Sequence, residues 1–233
     1  MLSHLLELRK RALYVILFFS SLFLLFFYNS SALFHALIKP LLNVLPNQDS
    51  LIAIQLTSPI LMPINLAVDT AMLGTAPFAL FQLWKFMAPG LYKEERKPLK
   101  TALITIFFLF CCGSFFCFYL ILPAMFQLFT KATPLGVRLL PDINSALDFI
   151  TKMLLIFGLC FQIPLICWFL VRLRWVNLQC LKKIRPYTIV AAFFLGMLLT
   201  PDVVSQMMLA IPLCVLYELG LLFASLTSVR MPV

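Results

Sequence analysis

The sequence predicts an all-α integral membrane protein of six transmembrane helices, and three observations predict it. Of 233 residues, 63% are hydrophobic and only 12% charged, with a mean hydropathy of +1.02. A water-soluble domain of this length cannot hide so much apolar surface, whereas a lipid-facing one has no need to. Secondly, the apolar residues fall into six runs, at about 12–28, 66–84, 101–122, 149–171, 187–200 and 205–225. A span needs roughly 20 apolar residues to cross a hydrocarbon core of about 30 Å, so these runs use up residues 1–233 in one membrane domain. Thirdly, the cations are asymmetric. With the N-terminus inside, the cytoplasmic face holds Arg9, Lys10, Arg11, Lys85, Lys93, Arg96, Lys97, Lys100, Arg172, Arg174, Lys182, Lys183, Arg185 and Arg230. The external face holds only Lys39, Lys131, Arg138 and Lys152. The positive-inside rule then sets both termini in the cytoplasm.

Each run has its own signals. The first follows Arg9-Lys10-Arg11 like the core of a secretory signal, but it is long and aromatic and no small-x-small cleavage site follows. It reads as a retained span. The connection 29–65 carries Pro40, Pro46, Pro59 and Pro63 and is semi-apolar, which predicts a structured external cap with short helices. The fifth run, Tyr187 to Thr200, measures only about 21 Å as helix and calls for a thinned bilayer or protein cover. Pro77, Pro123, Pro164 and Pro212 lie inside or beside the runs, which predicts kinked walls rather than a straight bundle.

Several chemistries drop out. The net charge of +9 is distributed by membrane topology and forms no basic patch interleaved with aromatics, so nucleic acid is not expected as a partner. The seven cysteines form no CxxC and pair with no histidine pattern, so they read as small apolar filler, and neither a metal nor a cofactor is expected. There is no GxxxxGK[ST], GxSxG or HExxH, and no enzymatic activity is expected.

What remains is a handful of acids and amides. Glu7 stands just before the first span, open to an i,i+4 pair with Arg11 or to a cationic partner. Glu94 and Glu95, the other acids of the cytoplasmic face, either begin the third helix or offer carboxylates to guanidinium groups, which suit bidentate geometry better than ammonium. Asp202 reads as the N-cap of the sixth helix. Asp69, Asp148 and Glu218 lie in or near apolar runs, where ionisable groups are costly. Gln162 is a candidate interhelical hydrogen-bonding group. On these residues alone, an ion-coupled solute transporter using Asp69, Gln162 and Glu218 is one reading and a membrane scaffold another. The lack of an internal repeat weakens the first.

The motifs go further. His4-Leu5-x-Glu7-Leu8-Arg9-x-Arg11 opens the chain, followed by Trp84-x-Phe86-x-x-Pro89-Gly90-Leu91-Tyr92-x-x-Glu95-Arg96. Then come Phe157-Gly158-x-x-Phe161-Gln162-x-Pro164, Arg185-Pro186-Tyr187, Thr200-Pro201-Asp202-Val203-x-Ser205-Gln206, Leu209-Ala210-Ile211-Pro212 and Tyr217-Glu218. In this order, from about residue 4 to 223, they resemble the TatC family of twin-arginine protein export. The resemblance implies a cupped, N-in and C-in fold with short fifth and sixth spans, in the inner membrane of a prokaryote or an equivalent organellar membrane. It implies a receptor for twin-arginine signal peptides of folded cargo. Self-assembly, TatA-like and TatB-like single-span partners and use of the proton-motive force go with it. It places Glu7, Arg9, Phe86, Leu91, Glu95 and Arg96 in the signal-recognition surface. Pro40, Gln162, Met197, Thr200, Asp202 and Gln206 fall at partner-docking or translocation positions. The chain departs from the family in having Gln162 where glutamate is frequent, and a single proline, Pro201, before Asp202.

Overall fold

The computed structural model describes residues 2–44, 51–54, 56–87, 96–134, 140–172, 175–200 and 202–228. Among them, nine α-helices follow one another: α1 Leu2–Tyr28, α2 Ser30–Leu42, α3 Ser58–Met87, α4 Arg96–Phe116, α5 Leu122–Ala132, α6 Ile143–Cys160, α7 Ile163–Arg172, α8 Leu178–Leu199 and α9 Val203–Ser228. A π-helical turn over Cys117–Ile121 joins α4 to α5, so the two run as one span. The Leu122 N–H there bonds back to the Cys117 carbonyl. The π-helical pattern immediately precedes Pro123, whose ring would crowd a regular α-helical turn. Helices α6 and α7 also form one span, broken at Phe161–Gln162, where Pro164 cannot donate into the turn before it.

Five stretches are long and apolar enough to cross a membrane: Leu6–Tyr28, Ser58–Phe86, Ile104–Ala132, Ile143–Arg172 and Val203–Leu226. Helix α8 is the sixth. It begins nine residues before the predicted fifth run, carrying Lys182, Lys183 and Arg185 in its first half. Its apolar part, from Tyr187 on, is only about 20 Å long. The expected shortness holds for the apolar part of α8 but not for α9, whose 26 residues reach about 39 Å. The external cap is helical, as expected, in α2. Its Ile38, Pro40 and Leu41 are buried against the bundle.

Helix α1 lies along α3, α3 meets α4 and α6, α4 meets α6, and α9 packs on both α7 and α8. The main core surrounds α6, where Ile150, Met153 and Phe157 are almost wholly buried with Leu66, Cys117, Leu122, Met125 and Leu209. In lipid, apolar burial does not distinguish inside from outside, so close packing and interhelical hydrogen bonds hold the helices together. The α4–α6 contact illustrates the packing. A Cβ on Gly113 would lie 2.7 Å from the Phe157 carbonyl oxygen, and one on Gly158 would lie 2.6 Å from Phe110. Each glycine thus admits the other helix. The hydrogen-bonding counterpart is at α8–α9, where the buried Tyr217 hydroxyl donates to the Leu181 carbonyl at 2.7 Å.

Asp142 closes the external end of α6. Its carboxylate accepts from the Ser145 N–H at 3.1 Å and hydroxyl at 2.9 Å, and from the Ile54 N–H at 3.3 Å, tying 51–54 to the helix start. The Ser145 N–H, above all, holds this carboxyl below the usual carboxylate range. Loss of the cap in Asp142→Ala is expected to cost about 1 kcal/mol at neutral pH. A lowered folded-state pKa means that the charge-dependent stabilisation is complete above the unfolded value near 3.9 and disappears as pH falls through the folded one. Thermal melts of wild type and variant should therefore differ at pH 6 and converge towards pH 2.

Candidate functional site

The cytoplasmic ends of α1 and α3 form the candidate signal-recognition rim. Helix α1 starts at Leu2, ahead of the apolar run at about 12–28, so Glu7, Arg9 and Arg11 stand on a continuous helix rather than on a tail. Arg11 Nε donates to Glu7 Oε1 at 3.2 Å, and Nη2 donates to the same oxygen. Its Nη1 reaches across to the Gln82 carbonyl of α3 at 3.4 Å. Gln82 is one helical turn before Phe86, which is half-buried near the end of α3. Arg9 is exposed. The expected i,i+4 pair is thus present, and it ties Glu7 to the helix that carries Phe86. Leu91, Glu94 and Glu95 lie outside the described residues; Arg96 is the first residue of α4, and its side chain is also outside them.

A packed floor supports the end of α3. Trp84, 8% exposed, meets Phe169 of α7 edge-on with ring centroids 4.4 Å apart, and Ile106 and Leu165 complete the cluster. Further along α3, towards α2, an apolar groove of about 490 Å³ is lined by Gly74 and Pro77, by Phe26, Phe107, Phe110 and Phe115, and by Leu33 and Leu37 of α2. A second hollow of about 260 Å³ shares Gly74, Pro77 and Phe107 and adds Phe18, Phe78 and Phe81, extending the groove along α1.

The remaining candidates separate into other places. Thr200, Asp202 and Gln206 meet at the α8–α9 turn. Gln206 Nε2 donates to the Thr200 carbonyl at 3.3 Å, the buried Thr200 hydroxyl donates to Gly196, and Asp202 accepts from the Ser205 N–H at 2.8 Å as the expected N-cap. Met197 is on the same helix, 66% exposed. Pro40 is buried in α2. Gln162 is buried in the α6–α7 break, where Nε2 donates to the Ile106 carbonyl of α4 at 3.0 Å while Oε1 has no partner among the described residues.

The three groups of the transporter reading do not converge. Asp69 accepts from Thr151 at 3.3 Å and lines a polar crevice of about 450 Å³ with Asn65, Asn144 and Asp148, the last paired with Lys152 at 2.7 Å. Glu218 pairs instead with Arg185 across α8–α9 at 2.8 Å. Gln162 is at the third location.

Comparison with known proteins decides between the readings. Residues 3–212 match the family described as Sec-independent protein translocase protein (TatC). The chain belongs to the TatC family. It is 41% identical to the TatC of Haemophilus influenzae over 96% of this chain and 88% of that protein, and 37% identical to that of Escherichia coli K12 over 96% and 87%. The TatCy protein of Bacillus subtilis is 34% identical over 96% and 88%. A solved structure, the crystal structure of the twin-arginine translocase receptor TatC, superposes with a TM-score of 0.87 at 29% identity, covering 97% of this chain and 99% of that one. The TatC-family chain is accordingly a multi-pass inner-membrane protein and a component of a protein translocase. What the motifs did not single out is the Gln82 carbonyl and the Trp84–Phe169 floor. Trp84 is in the second motif, but its burial partner comes from a helix some 85 residues later.

Proposed function

We propose that this TatC-family chain is the receptor subunit of a twin-arginine translocase. It binds the twin-arginine signal of folded cargo at the cytoplasmic rim and then assembles with TatA-like and TatB-like single-span partners. The observation that carries the reading is a carboxylate, Glu7, held at the cytoplasmic end of α1 beside the Phe86-bearing end of α3. Its family counterpart is a receptor of the same fold. Glu95 supplies the second carboxylate, and two carboxylates suit two guanidinium groups. The groove along α1, α3 and α4 fits the apolar stretch that follows the arginines, because its walls are almost entirely aromatic and aliphatic. Single-span partners dock on α8, where Tyr187, Val190, Phe194, Met197 and Leu198 are each at least 60% exposed. The short apolar part of α8 makes cover by another helix favourable.

The test is binding of a fluorescent twin-arginine signal peptide to purified protein in nanodiscs, beside its Lys-Lys counterpart. Charge-assisted hydrogen bonds contribute about 1.5–3 kcal/mol each, so Glu7→Ala or Glu95→Ala should weaken Arg-Arg binding roughly ten- to a hundredfold. Equal binding of both peptides, unaffected by either substitution, would place recognition elsewhere.

A further inference from the structure

We propose that Arg11 is a positioning residue of the signal site: it holds the Glu7 carboxylate by one oxygen and leaves Oε2 as the acceptor offered to an incoming guanidinium. The proposal rests on the receptor reading above and concerns how that site tells arginine from lysine.

Three N–H groups of one side chain are committed here. Two converge on Glu7 Oε1 and the third bonds to the Gln82 carbonyl of the neighbouring helix. The Arg11 side chain is 14% exposed, whereas that of Glu7 is 37% exposed. The cation is therefore the inner member of the pair and the carboxylate faces outwards. Among the described residues no donor is directed at Oε2. Glu7 thus presents one oxygen with its lone pairs in fixed directions, on a base braced against α3.

Such a site discriminates by geometry rather than by charge. Arg11 cancels the charge of Glu7, so a second cation gains little from long-range attraction and must fit. A guanidinium has rigid, planar N–H directions and loses less freedom per bond than an ammonium on a flexible stem. A carboxylate released from Arg11 would carry its full charge and turn to follow either cation.

The experiment compares Arg-Arg and Lys-Lys signal peptides on wild type, Arg11→Gln, Arg11→Lys, Glu7→Ala and the Glu7→Ala/Arg11→Gln pair. All are checked for monodispersity in the same nanodiscs. The expected result is a fall of about five- to tenfold in the Arg-Arg over Lys-Lys affinity ratio for Arg11→Gln, with Lys-Lys binding gaining. Arg11→Lys restores the charge without the paired N–H groups and should recover only part of the ratio. In the Glu7→Ala background, Arg11→Gln should leave the ratio where it was. An unchanged ratio, or equal weakening of both peptides, would reduce Arg11 to a brace between helices. Tighter Arg-Arg binding with a raised ratio would make it a competitor for Glu7, and the proposal would fall. If wild type itself shows no preference, and Glu7→Ala changes nothing, the receptor assignment of Glu7 fails along with it.

Discussion

Gly113→Ala is expected to lower the melting temperature of the purified protein by about 2–12 °C, against the direction that helix propensity predicts. In an unencumbered helix, exchanging glycine for alanine stabilises by about 1 kcal/mol. Here the added methyl would lie 2.7 Å from the Phe157 carbonyl oxygen and 2.8–2.9 Å from Phe161. One obstacle is backbone and cannot rotate away, so α4 and α6 must separate. Overpacking of this kind costs about 1–3 kcal/mol and occasionally more. A chain of this size shifts by about 2–4 °C per kcal/mol. Gly74→Ala is the control, because its methyl would meet only the movable ends of Leu22 and Phe26, at 3.2 Å and beyond. It should be neutral or stabilising. If both variants melt like wild type, the close α4–α6 approach is not what holds that contact together.

Trp84→Ala should cost about 3–5 kcal/mol, the usual range for emptying an aromatic site in a core. Signal-peptide binding should fall with it. Trp84 is pinned edge-on by Phe169 and enclosed by Ile106 and Leu165, so its loss leaves a cavity under the last turn of α3. Phe86 and the carbonyl that receives Arg11 both belong to that end of the helix. Leu83→Ala supplies the comparison: one residue away but 54% exposed, it should change stability by no more than about 0.5 kcal/mol. Thermal melts and peptide titrations on the same samples separate the two effects. A Trp84→Ala protein that melts normally would remove this cluster from the account of the rim.

The apolar runs located the helices well because hydropathy reports contact with lipid. It reports the ends of helices poorly, since these are set by backbone hydrogen bonding. Helix α1 therefore runs on through Arg9-Lys10-Arg11, as the i,i+4 spacing of Glu7 and Arg11 implied, and α8 passes through Lys182, Lys183 and Arg185, which the apolar runs left in a loop before the fifth span. Pro164 announced the α6–α7 break, and Pro123 a disturbance whose form, a π-helical turn, composition could not specify. At the site, spacing alone made the Glu7–Arg11 pair legible. The Gln82 carbonyl was not, because a backbone acceptor has no signature among side chains. The glycines of α4 and α6 were equally silent. Their role depends on which helices are neighbours, and no local pattern encodes that.

The π-helical turn over Cys117–Ile121 can be read as a surplus residue. Leu122 reaches back five positions rather than four, and one extra residue turns all that follows by about 100° around the helix axis. That rotation accompanies the inward placement of Leu122, Met125 and Phe126, which are buried at the start of α5. A chain with one residue fewer at this point would come closer to an ordinary helical turn, with Pro123 still crowding it and withholding one backbone donor. It would nevertheless present another side of α5 to α2 and α9. Chain length here acts as an angle setting: a single-codon deletion would be felt less as missing mass than as a helix dialled to the wrong bearing.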